Sequence, residues 1–199
     1  MSIRFTGHYG QTPSLTLPRN TGGGEKARPT PMTESPSIQI RPAVVDDVPL
    51  IFAFIRELAV YEHLDHTITA TEQSLRETLF SADGKPTGAE IRIAFFQQQP
   101  AGFALFFPNY STFVGRPGIY LEDLFVRPEF RGKGVGRALL REVAALAVAR
   151  NCGRLEWAVL DWNAPAIGFY KKLGAVPMDD WTVFRVVGEA LQKLAASGD

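Results

Sequence analysis

Arg131-Gly132-Lys133-Gly134-Val135-Gly136 stands between a strand-like run at 119–126 and a long amphipathic helix pattern that reaches about Arg150, with Val135, Leu139, Val143 and Leu146 as its apolar stripe. Glycines at a strand-to-helix junction let the backbone come close to an anion. The helix start beyond them offers unpaired N–H groups and the positive end of the helix dipole. Arg131, Lys133 and Arg137 add positive charge at the same point, so a phosphate-bearing ligand is the direct inference. Two nucleotide motifs fail here. A Rossmann fingerprint needs a third glycine where Arg137 stands, and a P-loop needs Gly-Lys followed by Ser or Thr, neither of which is present. What remains is Arg-x-x-Gly-x-Gly, which on spacing alone also describes an ordinary strand-to-helix turn.

Upstream, residues 38–41 alternate like a strand, and Leu50, Ile51, Phe54, Ile55 and Leu58 recur at helical spacing through about Glu62. Thr71 with Ser74 three residues on marks a second helix start, running to about Phe80, and Asp83-Gly84-Lys85-Pro86 is a turn. Strands are predicted at 91–97, 102–107 and 119–126, the first two joined through Gln98-Gln99-Pro100-Ala101. Downstream, 154–160 reads as a strand, 164–173 as a short helix, 181–187 as a strand and 188–195 as a helix, with a small strand at 175–177. Trp157 and Trp181 read as core strand residues. The order β-α-α-β-β-β-α-β-α-β predicts an α/β (α+β) domain with a mixed sheet and helices on both faces.

The regular pattern begins at Ile38. Residues 1–37 are rich in Gly, Pro, Ser and Thr, with Gly22-Gly23-Gly24 among them, and are expected to form a disordered tail ahead of a single domain at 38–199. Met32 offers an alternative start. The formal net charge of zero argues against nucleic acid as the main partner, and no apolar run is long enough to span a membrane. A single cysteine, Cys152, permits no internal disulfide and suits a reducing cytoplasm. His63 and His66 around Asp65 read as a solvated loop, and no metal site is expected.

Several separated segments carry a more specific signal. Glu57-Leu58-Ala59-Val60-Tyr61-Glu62, Tyr120-Leu121-Glu122-Asp123-Leu124-Phe125-Val126 and Trp162-Asn163-Ala164-Pro165-Ala166-Ile167-Gly168-Phe169-Tyr170, together with the glycine segment, resemble the GNAT superfamily of N-acetyltransferases. Within it they look like the diamine acetyltransferases, a group that includes the spermidine/spermine and thialysine enzymes. Pro108-Asn109-Tyr110-Ser111-Thr112-Phe113 looks closer to the thialysine type; the polyamine enzymes carry an acidic-Pro-Trp segment where this chain has Ser111-Thr112-Phe113. The element order matches from Ile38 to the C-terminus. The resemblance implies the GNAT fold, a mostly antiparallel central sheet, acetyl-CoA as co-substrate, a small basic amine as acceptor, direct transfer and a homodimer.

It also implies roles. The loop Arg131, Gly132, Lys133, Gly134, Val135, Gly136 and Arg137 would hold the pyrophosphate, and a backbone N–H near Leu124, Phe125 or Val126 would face the thioester oxygen. An alkylamine, with a pKa of about 10.4, must lose a proton before it attacks. Glu122 would accept it, or would only attract the cation, with Asp123 expected on the opposite side of the strand. Tyr170 matches the general acid that protonates the departing thiolate. Asn163 either contacts the co-substrate or caps the helix at Ala164. Tyr61 and Glu62 match acceptor-site positions. A protein or peptide acetyltransferase on this fold, and a non-catalytic acetyl-CoA-binding module, are the competing readings; Glu122 together with Tyr170 disfavours the latter.

Overall fold

The computed structural model describes residues 37–196; the predicted tail and the alternative start at Met32 lie outside the described residues. Five strands form one sheet in sequential order: β1 (Ile38–Pro42), β2 (Glu90–Phe96), β3 (Gln99–Ser111), β4 (Arg116–Val126) and β5 (Leu155–Trp157). The first four pair antiparallel and β5 joins β4 in parallel, so the sheet is mixed and mostly antiparallel, as expected. Helices α1 (Val48–Tyr61) and α2 (Glu72–Leu79) cover one face. Helix α3 (Val135–Ala149) covers the other, where Phe169 and Tyr170 of α4 (Ala164–Lys172) also pack.

Strand alternation sorts the core into these two layers. Ile91, Ile93 and Phe103 meet Val48, Ile51 and Phe54 of α1, and Phe54 stacks on Phe103 with ring centroids 5.5 Å apart. Ala94, Phe96, Ala104 and Phe106 meet Val135, Leu139, Leu140 and Val143 of α3. The strands β3 and β4 approach so closely at Gly102 that a Cβ there would collide with the Phe125 carbonyl oxygen. Thr71 caps α2 as read, its side chain accepting from the Ser74 N–H at 3.0 Å.

Five readings need correction. The β2–β3 connection is the two-residue turn Gln97-Gln98, both at positive φ (49° and 67°), and Pro100 and Ala101 already belong to β3. A two-residue turn with both residues left-handed matches the sheet's own twist, which the four-residue reading missed because neither residue is Gly or Asn. The strand predicted at 154–160 shortens to Leu155–Trp157. Neither 175–177 nor 181–187 forms a strand. Trp181 is 70% exposed rather than in the core. The run at 181–187 has strand-forming side chains, but strand structure needs backbone pairing with a neighbouring edge, and this run pairs with none of the five strands. It leads into α5 (Gly188–Ala196), which buries no residue.

Candidate active site

Parallel pairing of β4 with β5 is confined to Ile119–Leu155, Tyr120–Glu156 and Leu121–Trp157. Beyond Trp157 β5 ends while β4 continues to Val126. From Glu122 onward the β4 edge that faced β5 is therefore unpaired and presents backbone N–H groups to the gap. A cleft of about 520 Å³ occupies the place where the strands part. One wall is Glu122 to Val126, the other Ala158, Val159 and the start of α4, and the floor is the glycine turn into α3.

The divergence coincides with a β-bulge. Phe106 of β3 lies opposite Leu121 and Leu105 opposite Asp123, which leaves Glu122 as the extra residue. The bulge shifts the phase of alternation. Leu121 packs on the α3 side, yet so do Leu124 and Val126, while Phe125 packs on the α1 side. Asp123 is thus not opposite Glu122 as expected from simple alternation: both carboxylates line the cleft. Glu122 is exposed and Asp123 half-buried. Burial, reinforced by the charges of Glu122 and Glu62, pushes the Asp123 carboxyl up to about 7. Glu62, on the residue that closes α1, is itself pushed up by burial.

The glycine turn has the geometry of an anion seat. Gly132 and Gly134 take φ of 74° and 88°, and Gly134 serves as the N-cap of α3 with no side chain bonded to the helix start. The first-turn N–H groups accordingly remain available to a ligand. A Cβ at Gly132 would meet nothing within 4 Å, so the space above the turn is open. The basic side chains divide. Arg137 lines the cleft. Arg131 turns toward the end of α1, its Nε donating to the Val126 carbonyl at 2.9 Å and its guanidinium 4.4 Å from the Tyr61 ring centroid. Lys133 is not among the lining residues; its Nζ lies over the rings of Phe96 and Phe130 at 5.1 and 5.4 Å.

Tyr170 of α4 faces the cleft with its ring 5.0 Å from that of Trp157, and burial first, then the charge of Glu62, pushes its phenol up to about 12. The group is a retained proton donor at neutral pH. Asn163 does two things at once: its side-chain oxygen accepts from the Ala166 N–H at 3.3 Å, capping α4, and from the Tyr61 hydroxyl at 3.2 Å. It thereby joins the end of α1 to the start of α4 across the cleft. Arg127 holds α1 from the other side through a bidentate pair with Glu57 at 2.9 and 2.7 Å.

Of the residues singled out from the sequence, all but Lys133 line this cleft. Leu58, Phe130, Ala158, Val159, Pro165, Ala166 and Phe169 line it too and were not foreseen; apolar lining carries no local motif. Phe113, 95% exposed, sits at the β3–β4 turn and does not line it. Among the described residues there is no group of three or more metal-ligating side chains, and no helix is long and apolar enough to cross a membrane.

Residues 55–175 match the Acetyltransferase (GNAT) family. The chain is 35% identical to an L-ornithine N5-acetyltransferase of Arabidopsis thaliana, over 78% of this chain and 87% of that protein. It is 39% identical to a thialysine N-epsilon-acetyltransferase of Bos taurus, over 79% of this chain and 97% of that protein. An aminoglycoside N-acetyltransferase solved in complex with CoA shares the fold, with a TM-score of 0.62 and 18% identity over 78% of this chain and 98% of that one.

Proposed function

The chain belongs to the GNAT family of acetyltransferases, and on that premise we propose that it transfers an acetyl group directly from acetyl-CoA to the terminal primary amine of a small basic metabolite, with a lysine- or ornithine-like amino acid as the first choice. One observation carries the reading: the cleft where β4 and β5 part holds an uncapped glycine turn at one end and a phenol with three carboxylates at the other. The relatives act, by their names, on thialysine and on L-ornithine.

The residues fit the co-substrate. The N–H groups of Gly132 and of Gly134 to Arg137, with the Arg137 side chain, would hold its pyrophosphate, and the open space above Gly132 admits it. When bound, acetyl-CoA supplies an activated acyl carbon and a thiol leaving group. An N–H on the unpaired edge of Leu124–Phe125–Val126 would stabilise the negative charge that forms on the acyl oxygen. Glu62, Glu122 and Asp123 would draw in a substrate that carries at least one ammonium. The Tyr170 Oη would give a proton to the departing sulfur and recover the one shed by the new amide nitrogen. Asn163, tied to Tyr61 and α4, would keep these groups in register. With Trp181, Val183 and Phe184 70, 83 and 89% exposed, a homodimer that covers this arm is part of the proposal, and the cytoplasm is the proposed compartment.

The test is thiol release from acetyl-CoA against ornithine, thialysine, lysine, putrescine, spermidine and a lysine peptide. Turnover with a small amine, and a Tyr170→Phe variant that binds acetyl-CoA normally but turns over about 100-fold more slowly, are the expected results. Turnover with the peptide alone would assign the protein-acetylating reading. Binding without any turnover would sink the enzyme reading.

A further inference from the structure

We propose that Asp123, and not Glu122, is the carboxylate that takes the proton from the acceptor amine. The inference rests on the acetyl-transfer reading and concerns the division of labour within its acidic wall. Two observations fit Asp123 for the part, and a third, its burial, separates it from its neighbour. The bulge at Glu122 turns Asp123 into the cleft instead of letting it point to the far side of the sheet. Asp123 is half-buried there while Glu122 is exposed to solvent. Among the described residues, no hydrogen bond or ion pair engages the carboxylate of either neighbour, so the lone pairs of the buried one, Asp123, are as free for a ligand proton as those of Glu122.

The groups around it are Glu122 on β4, Glu62 and Tyr61 from the end of α1, Arg131 from the turn before α3 and Tyr170 from α4. Arg131 is engaged by the Val126 carbonyl and the Tyr61 ring, and the charges that act on Asp123 are those of the two glutamates. In the step itself, an N–H bond of the ammonium breaks, its electron pair stays on nitrogen, and the proton moves to Asp123, which becomes neutral. The amine is then free to attack, and the proton leaves Asp123 for solvent. Moving the carboxyl from 3.8 to about 7 brings it roughly three units closer to an alkylamine, which makes the deprotonated amine about a thousandfold more accessible than an ordinary aspartate would. A base must also be ionised to act, and a group titrating near neutrality meets both demands. Glu122 is the tuning charge: it holds Asp123 up and attracts the cation.

The experiment compares pH profiles of kcat/KM for the wild type, Asp123→Asn and Glu122→Gln, beside carbon-13 titration of aspartate carboxyls in the unliganded proteins. The wild-type rate is expected to rise with pH through an apparent pKa near 7. Asp123→Asn should lose that limb and at least 100-fold in kcat, and should melt no lower than the wild type, because it removes a charge that burial disfavours. Glu122→Gln should keep the limb, displaced to lower pH, with the loss expressed mainly in KM. The carboxyl titrating near 7 should vanish in Asp123→Asn and shift down in Glu122→Gln. Loss of the limb in Glu122→Gln with its retention in Asp123→Asn overturns the assignment, as does a wild type with no aspartate titrating above the usual range. A wild type silent with every amine overturns the acetyl-transfer reading and the base assignment together; a working wild type with the opposite variant pattern overturns the base assignment alone.

Discussion

The sheet from β1 to β4 with α1, α2 and α3, and the segment after Trp157, are built on opposite terms. In the first, each apolar face has a partner: α1 and α2 on one side, α3 on the other, with Phe54, Phe103, Phe106 and Leu139 fully buried. In the second, among the described residues, no hydrophobic side chain is fully buried: Phe169 and Tyr170 pack only partly on the α3 layer, and Val176, Met178, Trp181, Val183 and Phe184 are exposed. The cleft lies on the boundary between them, where β5 stops and β4 goes on. One wall is therefore rigid sheet, and the other hangs on the Asn163 cap and a few aromatic contacts. Rigid placement of the carboxylates and a more loosely held proton donor follow from that arrangement.

The sharpest way to break the comparison is to cut into the first region. Phe54→Ala removes a ring stacked on Phe103, tilted against Phe125 at 6.3 Å and covered by the Arg127 guanidinium. The cost is expected at about 3–5 kcal/mol, read as a loss in denaturant unfolding, which leaves a domain of this size barely folded. A loss under about 1 kcal/mol would mean that the α1 layer is much less tightly packed than its burial implies.

At the boundary, Asn163→Ala removes both the α4 cap and the acceptor of the Tyr61 hydroxyl. Loss of the cap is expected to cost about 1 kcal/mol in stability. The larger signature should be in turnover, because Tyr170 rides on the same helix. A variant with unchanged kcat and a lower melting temperature would confine Asn163 to capping.

The same boundary separates what the sequence shows from what it hides. The helices of the first region and the glycine turn are local patterns, readable because apolar spacing and a missing Cβ act on their own neighbours. The bulge at Glu122 is a different matter. Alternation through Tyr120, Leu121, Glu122 and Asp123 puts the two acids on opposite faces, and the sheet does not. A trace was present: Leu121 and Leu124 stand three apart with Val126 beyond, a spacing that two-residue alternation cannot bury on one face. The turn at Gln97-Gln98 left no such trace, since neither residue favours positive φ. The run at 181–187 misled for the reverse reason: its side chains suit a strand, but pairing is decided by an edge elsewhere in space. Arg131 and Lys133 were legible as charges and not as directions, because rings contributed by Tyr61, Phe96 and Phe130 capture them.

The smallest expected change in single-chain stability belongs to the arm, and it is the one that tests what the second region is for. Trp181→Ser and Phe184→Ser remove rings that contact no core, so each should alter the folding free energy by no more than about 0.5 kcal/mol. A chain that leaves Trp181, Val183 and Phe184 in water presents an apolar patch of the kind that marks an association surface. Light scattering is therefore expected to give a dimer mass for the wild type and a lower mass, or a concentration-dependent one, for the double variant. If both proteins are monomers with equal melting temperatures, the arm has no partner and the homodimer is wrong. If the double variant instead loses stability on the scale of Phe54→Ala while remaining monomeric, the arm packs on its own chain in solution. The contrast between the two regions would then dissolve, with the open wall of the cleft closed by the segment that follows it.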